Sequence, residues 1–592
     1  MNKYLIAICL LPFLFGSCSD FLDKEPKDIL SDVTVWDSPE AIEAYMGKMY
    51  DRMPVEDFNF EVIDQAGFTS ELTDEAVRGY IWGNINNPII PDGSFPWWGY
   101  GEIREVNIFL QKIKDAPLTE EQKTLYEAEA RFIRAFYYFG MVKRYGGVPL
   151  LTEAQEYTGG NMEDLRVPRN TEKEIWDFIR MEIDDIAPLL PEAWDTPNRF
   201  RVTKYGALAL KSRAMLYAAS VATYSTIQLD GLLGIPESEK DFYWNESKKA
   251  SEEIMNSGQF ALYEMYDNKE ENFQQLFLDE SLHSEAIFVK AFTAPDKGHN
   301  YDYYNAPQTF KIDWGCVINP VVELLEAFDY VDGSSGELRV NDAEGNPIEY
   351  SNPTDLFKDK DPRLVASIMV PFSEWMDGQI EVRKGIIDNG QLITASNMTD
   401  TYGEGENQIT IIGKDGILDM GDPTKTGLYV KKFMNPTEIV DAGRSEVNWM
   451  VFRYAEILLN YAEACMELGQ DTDRALEAIN EIRRRAGVAE LSNLSLELVR
   501  KERRVELAFE NHRWWDLRRW HISHQVLNNA IFHALNPYLV WEEGKHPSEM
   551  KYIFKIEPAP KGPKTFLPKL YYEKIASSQI QTNPLIIQNP GY

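Results

Sequence analysis

Apolar positions recur at helical spacing in both end regions of the chain and lose that period in the middle. The clearest run is 452–520. Ala455, Leu458, Leu459, Ala462 and Cys465 fall three or four apart, one stripe of an amphipathic helix. Gly469 ends it, Thr472 and Asp473 offer the next N-cap, and Ala475, Ile479 and Ile482 form a second stripe closed by Gly487. Ser495 is placed to cap a third helix through Val499, Val505, Leu507 and Phe509. Ala455, Ala462 and Ala464 let backbones approach closely, so the first two helices are expected to pair antiparallel in the tetratricopeptide manner, with a turn one residue off the usual length. Such a unit cannot bury its apolar face alone, so others are expected elsewhere.

The N-terminal half supplies them. Ser38 followed by Pro39 opens a helix over 38–53. Thr119 to Gln122 reads as a capping box before a helix over 127–150, whose Phe132, Phe136 and Phe139 share a face and which Gly146, Gly147 and Pro149 terminate. Further helices are expected over 171–187, 201–220 and 243–257, making four pairs divided between the two ends. Residues 265–445 instead show short alternating segments and turns such as DGSSGE and DAEGNP, the texture of loops and small hairpins. The fold class expected is mainly α. Tetratricopeptide-like helix pairs (mainly 38–260 and 446–535) form a scaffold, and a large irregular region (mainly 265–445) packs on it.

The amino terminus changes the picture of location. Residues 1–17 carry one cation, Lys3, then an apolar run from Tyr4 to Phe15 that is too short to span a bilayer and reads as an export signal. Cys18, directly after Gly16 and Ser17, is the expected site of lipidation, with Phe15 a mild departure from the commonest lipobox. Residues 18–37 then form a lipidated tether and 38–592 one domain. A net charge of −35 is the wrong sign for nucleic acid or anionic lipid head groups. Beyond Cys9 and Cys18 only Cys316 and Cys465 remain, better read as two separate buried thiols than as a disulfide.

Candidate chemistry is sparse. No nucleophile elbow, Walker loop, zinc-protease helix or paired CxxC occurs. His521 and His524 sit in an Arg- and Trp-rich structural stretch, and Asp329, Asp332 and Glu337 form an acidic turn without calcium-loop spacing. No cofactor is implied. Aromatic residues in polar, Gly- and Pro-rich loops are the remaining signal: Trp82, Trp97, Trp98 and Tyr100 within 79–101, then Tyr301, Tyr303, Tyr304 and Trp314 within 300–315, with Trp375 and Trp541 as single candidates. Flat rings beside Asn, Asp and Arg suit sugars, because a ring covers the C–H face while polar groups take the hydroxyls. One ring covering about 100 Å² contributes roughly 2.5 kcal/mol, less than the ~4 kcal/mol that association costs, so two or three rings must act together.

RYAEILLNYAEA at 453–464 and ERRVELAFENHRWWDLRRW at 502–520 resemble the C-terminal signature of SusD/RagB-type nutrient-binding lipoproteins. The helix string at 127–150, KDPRL at 360–364, GLYVKKF at 427–433 and the terminal QNPGY resemble further landmarks of that family, in order along the mature chain. The resemblance implies a non-catalytic, outward-facing outer-membrane lipoprotein. It would bind an oligo- or polysaccharide and hand it to a SusC-like TonB-dependent transporter. It further implies a glycan platform built from Trp97, Trp98 and Tyr100, then Tyr303 and Trp314, with Arg78 as a hydrogen-bond donor. A peptide-binding member of the family and a polysaccharide hydrolase are the alternatives, the latter because 95 Asp and Glu residues could hide a carboxylate pair.

Overall fold

The computed structural model describes residues 35–60, 67–81 and 83–592. The expected signal, Cys18 and most of the tether lie outside them, as does Trp82. The helical scaffold comprises α1 (Pro39–Asp51), α2 (Tyr100–Lys112), α3 (Glu120–Tyr145), α4 (Glu172–Ile186), α5 (Lys204–Tyr224), α6 (Lys240–Asn256), α7 (Lys269–Leu278), α8 (Tyr454–Leu468), α9 (Thr472–Ala486), α10 (Leu496–Glu506) and α11 (Arg513–Arg519). Local chemistry sets most ends. Ser38 Oγ accepts from Ala41 N–H, Thr119 and Gln122 cap each other reciprocally, and Ser495 Oγ accepts from Leu498 N–H. Gly469 and Gly487 close α8 and α9 in the left-handed conformation. The start of α9 differs from expectation: Asp471, itself left-handed at φ 49°, is the capping residue, and its side chain bonds Lys248 rather than the helix N-terminus.

The helices form one continuous stack rather than two separate groups. α3 packs on α4, α4 on α5, α5 on α6, and α6 directly on α8, which then pairs with α9 and α10. Fully buried alanines at 207, 209, 214, 218 and 219 on α5, and at 455, 462 and 464 on α8, permit these close approaches. The chain is thus mainly helical, with tetratricopeptide-like pairing.

Strands are more developed than the sequence pattern indicates. His533–Val540 and Lys551–Pro558 pair antiparallel, and His533–Val540 also pairs in parallel with Gly385–Asp388, which turns back onto Gln391–Thr394. The expected helical end region therefore runs into a four-stranded sheet that captures a hairpin from the irregular middle. Trp449–Arg453, just before α8, pairs with Ala286–Lys290 in the same long-range fashion.

Charged residues of the sequence landmarks are buried against one another. Arg363 holds Asp361, Glu502 and Glu506, while Arg453 holds Glu285, Glu506 and Glu510. Arg503 and Arg519 share Asp516, and Arg519 also binds Glu463 of α8. Burial opposes ionisation of Glu506, but Arg485, Arg453 and Arg363 hold its carboxyl well below the usual range. The landmarks are thus an internal ionic lattice that joins α8, α10 and α11 to the irregular region.

Candidate functional site

The site is built where the short strand Ala76–Arg78 pairs antiparallel with Ile318–Pro320. This pairing brings the start of the 79–99 loop against residues 314–317. Gly79 N–H donates to Val317 O at 2.8 Å, and a Cβ at Gly79 would lie 1.9 Å from Cys316 O, so the approach admits only glycine. Tyr80 follows. Its hydroxyl donates to Gly315 O (2.9 Å) and accepts from Gly315 N–H (3.1 Å), pinning the backbone beside Trp314.

From the other side comes the one-turn helix Tyr301–Asn305. Buried Tyr301 anchors it, Asn305 Oδ1 accepts from Ile318 N–H at 3.0 Å, and the loop closes through Cys316 N–H to Ala306 O and Val317 N–H to Tyr304 O. Trp314, 38% exposed, lies 5.4 Å from the Tyr80 ring and 6.3 Å from Tyr304; Tyr303 continues the row at 5.7 Å from Tyr304. Edge and tilted contacts hold such a ring in place without covering it fully.

Polar groups border the row. Lys561 Nζ donates to Tyr80 O (2.6 Å) and Asn86 Oδ1 (3.1 Å), and Asn86 Nδ2 donates to Tyr80 O (2.9 Å). Lys311 pairs with Asp422 and donates to Asp313 O. Burial, then the charge of Lys425, pushes the Lys561 ammonium down to about 8. The patch combines an exposed indole, supporting tyrosines and hydrogen-bonding groups, the components that a sugar ring engages.

The other expected platform residues stand elsewhere. Trp97 packs on Tyr137 at 5.6 Å and its backbone N–H donates to Tyr145 Oη; Trp98 lies edge-on to Tyr145 at 5.2 Å; Tyr100 Oη donates to Pro149 O at 2.5 Å. These three half-buried rings seat the loop end and the start of α2 against α3. Their position immediately before a helix that must dock there accounts for this. Arg78 is buried, with its guanidinium 3.4 Å from the equally buried Glu71, so the expectation of a ligand-facing donor gives way to an internal ion pair. Trp375 is buried, and Trp541 packs on Tyr402. The structure thus gathers Tyr303 and Trp314 but directs the 97–100 rings to the scaffold. Tyr80 carries no signal in the sequence, because one tyrosine after a three-residue strand has no distinguishing period.

The remaining candidates for chemistry resolve into structure. His521 stacks on Tyr571 at 3.8 Å and His524 Nδ1 lies 2.6 Å from the same hydroxyl. Asp332 accepts from Ser334 within its own turn. Cys316 and Cys465 are separate buried thiols, pushed by burial up to about 12 and about 11. Among the described residues no cluster of His, Cys, Asp and Glu has metal-binding arrangement, and no helix is long and apolar enough to cross a membrane.

A helical-repeat scaffold presenting an aromatic patch from its irregular region defines the class. Two family models match the chain, one described as the SusD family over residues 284–592, the other as starch-binding associating with outer membrane over residues 20–216. The chain belongs to the SusD family. SusD-like protein P38 of Formosa agariphila is 23% identical over 542 residues, spanning 87% of this chain and 90% of that one. A SusD-like protein of Bacteroides fragilis shares the fold at TM-score 0.71 and 24% identity, over 96% of this chain and all of the other. A SusD-like carbohydrate-binding protein of the same species superposes at TM-score 0.69 and 23% identity, over 93% and 99%.

Proposed function

We propose that this protein is a non-catalytic, outward-facing lipoprotein of the outer membrane, anchored through Cys18, which captures an oligo- or polysaccharide and delivers it to a SusC-like TonB-dependent transporter. The observation that carries the reading is the exposed Trp314 indole, pinned by Tyr80 and Tyr304 and bordered by Tyr303, Asn86 and Lys311, in a chain of this family. Ligand contact is assigned to Tyr303 and Trp314 of the expected set, with Tyr80 and Tyr304 as supports. Trp97, Trp98, Tyr100 and Arg78 are assigned to the scaffold. Few rings face solvent, so affinity for a short oligosaccharide should be weak, on the order of 0.1–1 mM, and should rise with chain length.

A carbohydrate and peptide array followed by calorimetry tests the reading. The expected result is binding to one class of polysaccharide, no release of reducing ends, and loss of binding in Trp314→Ala with an unchanged thermal transition. Binding to peptides alone, or catalytic release of sugar, overturns it. Mild-detergent purification from native membranes should co-isolate the transporter, and Cys18→Ala should free the protein from the membrane in cells lacking that partner.

A further inference from the structure

A cavity of about 430 Å³ opens between the end of α1, the turn before α5, the strand Ala286–Lys290 and the turn at 293–298; none of its lining residues belongs to the Trp314 patch. Met53, Phe288 and the half-buried Phe200 supply apolar wall, and Asn59, Asn198 and Asp296 supply amide and carboxylate groups. This is the size and mixture of a small-ligand site, in which apolar surface provides contact area and a few polar groups fix orientation. The Arg199 guanidinium covers Phe200 at 4.6 Å, which holds the ring in place beside the cavity.

Charge narrows the ligand class. Each of the three cations lining the cavity already holds a carboxylate: Arg201 binds Glu129 (Nε to Oε2, 2.8 Å), Lys290 binds Asp57 (2.5 Å) and Lys297 binds Asp51 (2.8 Å). The lining therefore presents no excess positive charge for a phosphate, sulfate or uronate. It presents the Asn59 amide, the Asp296 carboxylate and aromatic edges, the Asn198 amide being held by Arg201 and Asp195, and these groups match vicinal hydroxyls and a C–H face.

We propose that this cavity is a second saccharide site, separate from the aromatic patch, that takes a neutral sugar of one or two rings; the proposal rests on the glycan-binding reading above. The test titrates the purified full chain in detergent with a set of neutral disaccharides (cellobiose, maltose, gentiobiose and mannobiose) by saturation-transfer NMR and calorimetry. Wild type is compared with Trp314→Ala, Phe200→Ala and the exposed, fold-preserving Asp296→Asn. At least one disaccharide is expected to bind Trp314→Ala within twofold of its wild-type affinity for this site. The same sugar should weaken tenfold or more in both Phe200→Ala and Asp296→Asn. If no disaccharide binds Trp314→Ala, or if Phe200→Ala or Asp296→Asn binds as tightly as wild type, the second site is overturned. Neither outcome touches the primary reading, which fails if wild type binds no glycan on the array or releases sugar catalytically.

Discussion

Trp314 and Trp98 illustrate how neighbours decide the role of a ring. Both are indoles in Gly- and Pro-rich loops, yet Trp314 is 38% exposed while Trp98 is wedged between Tyr100 and Tyr145. Opposite outcomes are expected from the same substitution. Trp314→Ala should remove measurable polysaccharide binding at the aromatic patch by calorimetry and leave the melting temperature unchanged. Trp98→Ala should instead cost about 2–3 kcal/mol of unfolding free energy, somewhat below the range for fully buried rings, and leave the affinity of the folded protein as it was. Denaturant titration of both variants beside calorimetry checks the pair, and a stability loss at Trp314 would make it a packing residue. Legibility at this scale was partial: loop aromatics were visible as a group, but their burial depends on partners such as Tyr137 and Tyr145, far away on α3.

Elements are joined by buried charge as much as by apolar contact. Glu506 on α10 meets Arg363, Arg453 and Arg485, which come from three different segments. Removing one partner from such a group leaves uncompensated charge in a low-dielectric interior, which costs about 3–5 kcal/mol. Glu506→Gln keeps the shape and removes the charge, so urea unfolding should show a destabilisation of that size, larger than for Glu477→Gln, which breaks the exposed ion pair of Glu477 with Arg484. A second element-level prediction concerns Gly79, where Gly79→Ala would force Ala76–Arg78 away from Ile318–Pro320. Glycan affinity should then fall with no aromatic residue changed, as calorimetry would report.

Across the whole molecule, stability should depend on pH through groups that are buried neutral. His299 stacks on Phe58 at 4.1 Å, and burial lowers its imidazole to about 4, the contact with Val447 O only partly opposing this. Its folded pKa lies below the unfolded value of roughly 6.5, so the unfolded chain binds more protons between those limits. The contribution is complete above about pH 6.5 and is lost as pH falls towards about 4, amounting to about 3 kcal/mol. Between pH 7 and pH 4, wild type should lose about that much more unfolding free energy than His299→Asn. Equal losses would assign acid sensitivity to the carboxylates alone.

Most scaffold helices and several of their ends were legible in the sequence, because spacing of apolar residues, caps at Ser38, Thr119 and Ser495, and stops at Gly469 and Gly487 act within a few residues; α2, α7 and the capping residue of α9 were not. It also carried the family landmarks, since those residues must meet specific partners wherever the chain folds. Long-range contacts alone establish that the two helical ends form one stack, that His533–Val540 runs parallel to Gly385–Asp388, and that Tyr80 and Trp314 stand together. Each of these joins residues more than a hundred positions apart, and nothing local in either partner records the distance to the other.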